Sequence, residues 1–115
     1  GGIMVISISE ADEARNKIIG RDLNRVDNIE KEIDKELRVA LEKTISNKIE
    51  IFLSAPTPSY GSEPAYPQHM IQEIQRRYQS TGWKEVTYRY DFYPGLRGEE
   101  RDTESAAHEF TFVRQ

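Results

Sequence analysis

The sequence contains no cysteine. Disulfide scaffolds, thiolate metal sites and cysteine nucleophiles are therefore excluded, and a reducing cytosol suits the chain without being required by it. Histidine is nearly as scarce, with only His69 and His108. No apolar run comes near the ~20 residues that a membrane-spanning helix needs. The opening GGIMVISIS lacks a basic region and is too short in apolar residues for a signal peptide. Basic charge is short too: sixteen Lys and Arg stand against twenty Asp and Glu, a formal net charge of −4. A general nucleic-acid coat wants a basic face to displace counterions from phosphates. That class is disfavoured, and −4 is equally too mild for a mimic of DNA.

What is present reads as one domain spanning residues 1–115, long enough to bury a core. Hydrophobic residues make up 37% and charged residues 31%, the balance of a globular, well-solvated chain rather than a disordered one. Gly1–Ile3 ahead of Met4 reads as a cloning remnant, with Met4 as the natural start. Ser7 and Glu10 fit a capping box, with Ser9 and Asp12 as a near miss. From Ala11 the spacing is helical through Ala14, Ile18 and Ile19. Val26, Ile29, Ile33, Leu37, Ala40, Leu41 and Ile45 continue at three- and four-residue steps. The span from about 10 to 46 is one helix, or two with a break at Asp27–Asn28. Glu30 on a heptad seam favours a helix packed on a sheet over a long coiled coil. Glu30, Glu32, Asp34 and Glu36 read as a solvated face.

KIEIFLSA alternates as a strand, with Ile49, Ile51 and Leu53 on one side and Glu50 and Phe52 on the other. A proline-rich loop follows, and Pro67 suits the start of a helix whose apolar stripe is Met70, Ile71, Ile74 and Tyr78. Gly82 suits its C-terminal end. The stretch VTYRYDFYPG sets four aromatic residues and an arginine close together. Alternation puts Val86, Tyr88, Tyr90 and Phe92 on a core face and Thr87, Arg89, Asp91 and Tyr93 on the other. A charged loop leads to a last strand carrying His108, Phe110 and Phe112. The fold class is α+β: an N-terminal helix or helix pair, then β-α-β-β. The sheet is small and mixed, of three strands or four, with helices on one face. The two strands around the central helix should run parallel or flank a shared neighbour, and the last two should be antiparallel.

No residue set adds up to catalysis, and the chain reads as a non-enzyme with no cofactor and no metal. Neither histidine has a triad or metal partner visible in sequence. The acids Glu99, Glu100, Asp102 and Glu104 lack calcium-loop spacing and are interrupted by Arg97 and Arg101. PGLRGEE joins two strands and does not end as a phosphate loop does. The remaining candidate binding residues are Tyr60, Tyr66, Arg89, Tyr93, Leu96, Arg97 and Arg101, on or beside two long loops. Those loops either form a binding surface or fold back over the sheet.

The pieces ISISEADEA (6–14), IEKEIDKELRVALEK (29–43), GWKEVTYRYD (82–91) and HEFTFV (108–113) occur in an order that resembles small uncharacterised proteins of tailed bacteriophages. That resemblance implies a non-enzymatic accessory protein, a virion component or a stoichiometric inhibitor of a host factor, working in the host cytoplasm or virion through a protein partner. A small sheet leaves edges and a face to cover, so a homo-oligomer is expected. Two alternatives are a sequestering binder of a small anionic nucleotide, using Arg97, Arg101 and the loop tyrosines, and a minor nucleic-acid binder using Arg76, Arg77 and Arg89.

Overall fold

The computed structural model describes residues 7–58, 64–93 and 105–115. Five elements follow in order: α1 (Ile8–Leu41), β1 (Lys48–Ser54), α2 (Gln68–Gln79), β2 (Glu85–Tyr93) and β3 (Ser105–Val113). The expected α+β class holds, and the helix that could have been two is one unbroken α1 of 34 residues. Its start is the Ser7 cap, whose hydroxyl oxygen accepts from the Glu10 amide at 3.2 Å.

The three strands lie in the order β1-β3-β2. Both pairings are antiparallel, so the sheet is not mixed as expected: β1 and β2 run the same way but sit on either side of β3 and never pair with each other. The last strand in sequence is thus the middle strand in space. It is also the strand with the most to bury: Phe110 and Phe112 are fully enclosed and His108 is 3% exposed. On the edge strands, β1 buries Ile49, Ile51 and Leu53 and leaves Phe52 half-exposed on the far face, as its alternation foretold. β2 buries Val86 fully, while Tyr88, Tyr90 and Phe92 are only partly covered.

Both helices close the Ile49–Phe110–Phe112 face. From α1 come Val26, Ile29, Ile33 and Leu37; from α2 come Met70, Ile74 and Tyr78. Each of these side chains taken fully out of water contributes about 1.5–3 kcal/mol. Ile45, expected in the same stripe, is 96% exposed instead. The helix ends four residues earlier, and local hydrogen bonds steer the chain away. The Ser46 amide donates to Thr44 Oγ1 at 3.0 Å and the Lys48 amide to Ser46 Oγ at 3.2 Å. At the end of α2, Gly82 takes φ 114°. Its amide donates to the Gln79 carbonyl and the Trp83 amide to the Tyr78 carbonyl, the Schellman arrangement. Trp83 and Tyr78 then both meet Phe112 edge-on.

Polar contacts lock the helices together. Arg77 of α2 reaches Asp27 at 2.8 Å and Glu30 at 3.1 Å, and the Tyr78 hydroxyl donates to Asp34 Oδ1 at 2.7 Å. Glu30 and Asp34, expected on a solvated face, instead meet α2. These contacts advance along both helices together, from Asp22–His69 to Asp34–Tyr78, so the helices run in the same direction. α2 therefore begins level with Asp22, and α1 continues past it for fourteen residues, about 21 Å at the helical rise.

Candidate binding surface

Two polar clusters and one apolar groove stand out from the core. The first cluster joins the helices. Asp22 lies on the apolar stripe of α1, one turn before Val26, and only 4% of its side chain is exposed. An acid at such a position needs partners. His69, in the first turn of α2, donates from Nε2 to Asp22 Oδ2 at 2.8 Å, and Arg25 reaches Oδ1 at 3.3 Å. Burial alone raises the Asp22 pKa; the hydrogen bonds from His69 and Arg25, with the charges of Arg21 and Arg25, outweigh it and hold the carboxyl below its ordinary value. The carboxylate thereby fixes the imidazole's orientation at the groove described below.

The second cluster is aromatic. Tyr66 lies flat on His108, ring centroids 3.8 Å apart and planes 11° from parallel, and stacks on Tyr88 at 5.4 Å. Tyr88 uses its hydroxyl twice: the oxygen accepts from the Tyr66 amide at 3.0 Å, and the group shares a hydrogen bond with His108 Nδ1 at 2.8 Å. Burial first, and the Arg25 charge second, push its pKa down to about 4. Burial also raises the Tyr66 hydroxyl to about 12. Tyr90 closes the end of this layer by donating to the Pro56 carbonyl at 2.8 Å.

The groove runs along the part of α1 that projects beyond α2. It encloses about 640 Å³ and is lined by Ala11, Ala14, Ile18 and Ile19, with Glu10, Arg15 and His69. Ile18 is 49% exposed and Ile8 is 81% exposed, at the far end of the same helix. The spacing Ile8, Ala11, Arg15, Ile18, Asp22, Val26, Ile29, Ile33, Leu37 shows one helical face carried through from core to projection.

The residues singled out from sequence fare differently. Tyr60, Leu96, Arg97 and Arg101 lie outside the described residues. Tyr93 is the last residue of β2. Tyr66 packs inward between α1 and the helix-covered face of the sheet, not over the open face. Arg89 stands on the open face, bridged to Asp91 at 3.0 Å and across the ladder to Glu109 at 2.8 Å. Arg76 pairs with Glu73, and Arg77 with Glu73, Asp27 and Glu30. Of the three described, Tyr66 lies on the helix-covered side of the sheet and Arg89 on the open face, so these two are not brought together. Sequence reasoning missed the Asp22–His69 pair, although an acid inside an apolar helical stripe was the signal that could have found it.

No family model, curated protein or solved structure matches the chain. The case for a function rests on the chain's own residues.

Proposed function

We propose that the chain is a non-enzymatic accessory protein that acts by binding, with self-association as the core of its activity. The observation that carries this reading is the α1 face itself. Its apolar stripe continues from Leu37 and Val26 through Ile18 to Ile8, fourteen residues past the start of α2, where no described part of the same chain covers it. An isolated helix of that length is marginal in water, and packing of an amphipathic face is what sustains it. The Asp22–His69 link supports the reading further by anchoring the base of the projection to α2.

As a phage-encoded protein, in keeping with the resemblance carried by ISISEADEA and GWKEVTYRYD, it serves as a virion component or a stoichiometric inhibitor of a host factor. The open sheet face, with half-exposed Phe52 beside the Arg89–Glu109 pair, is the surface we assign to that protein partner. Nucleic acid is left out of the proposal. Arg76, Arg77 and Arg89, the cations such a reading would use, are each ion-paired with carboxylates. The test is sedimentation equilibrium over a hundredfold concentration range. A mass of two or more chains is expected, and a single-chain mass throughout would overturn the reading.

A further inference from the structure

We propose that the free edge of β1 takes up an extended segment of a protein partner as an antiparallel fourth strand. This rests on the protein-partner part of the reading above and does not depend on self-association.

Backbone phase carries the inference. The Ala55 amide donates to the Ala106 carbonyl at 3.2 Å and the Arg114 amide to the Asn47 carbonyl at 2.8 Å, each one step beyond an end of the β1–β3 register. In an antiparallel ladder such bonded pairs alternate with unbonded ones. Ile49, Ile51 and Leu53 therefore turn their N–H and C=O groups to β3, and Glu50, Phe52 and Ser54 turn theirs outward. Among the described residues, no hydrogen bond reaches those outward groups. The open row is closed at both ends. Ser46 Oγ accepts from the Lys48 amide at 3.2 Å, and Pro56 has no amide and gives its carbonyl to the Tyr90 hydroxyl. The opposite edge of the sheet differs. Its start, on β2, is covered from α2: Gln75 Nε2 donates to the Val86 carbonyl at 2.9 Å and Gln79 Nε2 to the Lys84 carbonyl at 3.3 Å.

What fits the β1 edge is a strand with no helix above it. In this chain α1 lies over β1 and α2 over β2. Paired strands stand about 4.8 Å apart, whereas packed helices need about 8–10 Å. A second copy adding its β1 about a two-fold axis would drive its α1 into the first. A single extended segment meets no such obstacle. Cavities of about 280 and 260 Å³ flank the edge, both lined by Glu36 of α1 and Phe52 of β1. They leave room for the side chains that the added strand turns toward α1. Main-chain pairing gives such complexes affinity, and alternate side chains give them specificity. Opposite Ile51 and Leu53 the guest residues are apolar, beside Val39, which is 43% exposed. On the open side, an aromatic residue opposite Phe52 covers its half-exposed ring. A basic residue comes opposite Glu50, whose bridge to Lys48 is 3.8 Å long.

The probe is the peptide acetyl-Thr-Val-Tyr-Val-Lys-amide, whose tyrosine comes opposite Phe52 and whose lysine comes opposite Glu50. The readout is amide hydrogen exchange followed by NMR. With about 1 mM peptide, the Glu50, Phe52 and Ser54 amides are expected to exchange about tenfold more slowly, while those of Ile51 and Leu53 are slow with or without it. Methylating the peptide's tyrosine nitrogen, which faces β1, is expected to abolish the slowing. Methylating the nitrogen of the valine after it, which faces away, is expected to preserve it. No slowing with the unmodified peptide, or the same response to both methylations, overturns the proposal. Slowing at the same three amides that grows with chain concentration alone gives the edge to a second copy and overturns it too. A single-chain mass in sedimentation beside peptide-dependent slowing would overturn self-association and leave this site standing.

Discussion

The Tyr66 ring lies flat against His108, centroids 3.8 Å apart and planes 11° from parallel, while the Tyr88 hydroxyl occupies His108 Nδ1 from the side. The two contacts enclose an imidazole whose burial holds it neutral in the folded chain until pH falls toward 4. Tyr66, Tyr88 and Tyr90 surround the ring, and Arg25 adds a repelling charge.

The pH dependence follows with its sign. In the unfolded chain His108 takes up a proton near 6.5; in the folded chain the pKa is down at about 4. Between those values the unfolded state binds more protons, so stability is complete above pH 6.5 and falls as pH drops toward 4, by at most about 3 kcal/mol. Asp22 acts in the same direction only further down, because its carboxyl sits below the ordinary 3.8. NMR titration of the imidazole protons should give His108 a midpoint near 4, and urea unfolding should show the loss. A midpoint at 6.5 contradicts the packing.

Tyr88→Phe keeps the ring and removes the hydroxyl that serves both His108 Nδ1 and the Tyr66 amide. Two polar groups of an enclosed layer then lack their partner. The expected cost is about 1–3 kcal/mol in denaturant unfolding. An unchanged stability would mean that the hydroxyl is dispensable to the cluster.

Core position decides the next pair. Phe112 is fully buried and meets Tyr78 and Trp83 edge-on, so Phe112→Ala should cost about 3–5 kcal/mol. Ile45 is 96% exposed, and Ile45→Ala should change stability by less than about 0.5 kcal/mol. Equal effects would contradict the end of α1 at Leu41.

Two glycines should respond in opposite senses. Gly82 holds φ 114°, where a Cβ is strained although no other atom stands within 4 Å, and Gly82→Ala should destabilise by about 1 kcal/mol. Gly20 is helical with the same open surroundings, and Gly20→Ala should stabilise by up to about 1 kcal/mol. Thermal unfolding by circular dichroism separates them; a shared sign would contradict the backbone at one site.

Much of the fold is legible in local pattern. The two-residue alternation of Ile49, Ile51 and Leu53 and of Phe110 and Phe112 gives the strands their buried faces, and the Val26–Leu37 spacing gives α1 its own. What local pattern does not carry is pairing across sequence distance. Glu30 and Asp34 look like any solvated acids until Arg77 and Tyr78 arrive from more than forty residues away. Asp22 and His69 are forty-seven residues apart, and neither signals the other. Ile45 shows the opposite error, a periodicity that outlasts the helix because the Thr44 and Ser46 hydroxyls redirect the backbone. Tyr66 was legible as an aromatic loop residue, but its place between α1 and the sheet depends on the Tyr88 hydroxyl that receives its amide.

The most direct test of self-association is hydrogen exchange across α1, measured at two protein concentrations about a hundredfold apart. Amides from Val26 to Leu37 lie in the core and should be protected at both. Amides from Ala11 to Ile19 should be protected at the higher concentration and exchange faster at the lower, as the second copy leaves. Fast exchange over 11–19 at both concentrations, beside a protected 26–37, would mean that the projecting face of α1 has no partner of its own kind, and would contradict the account.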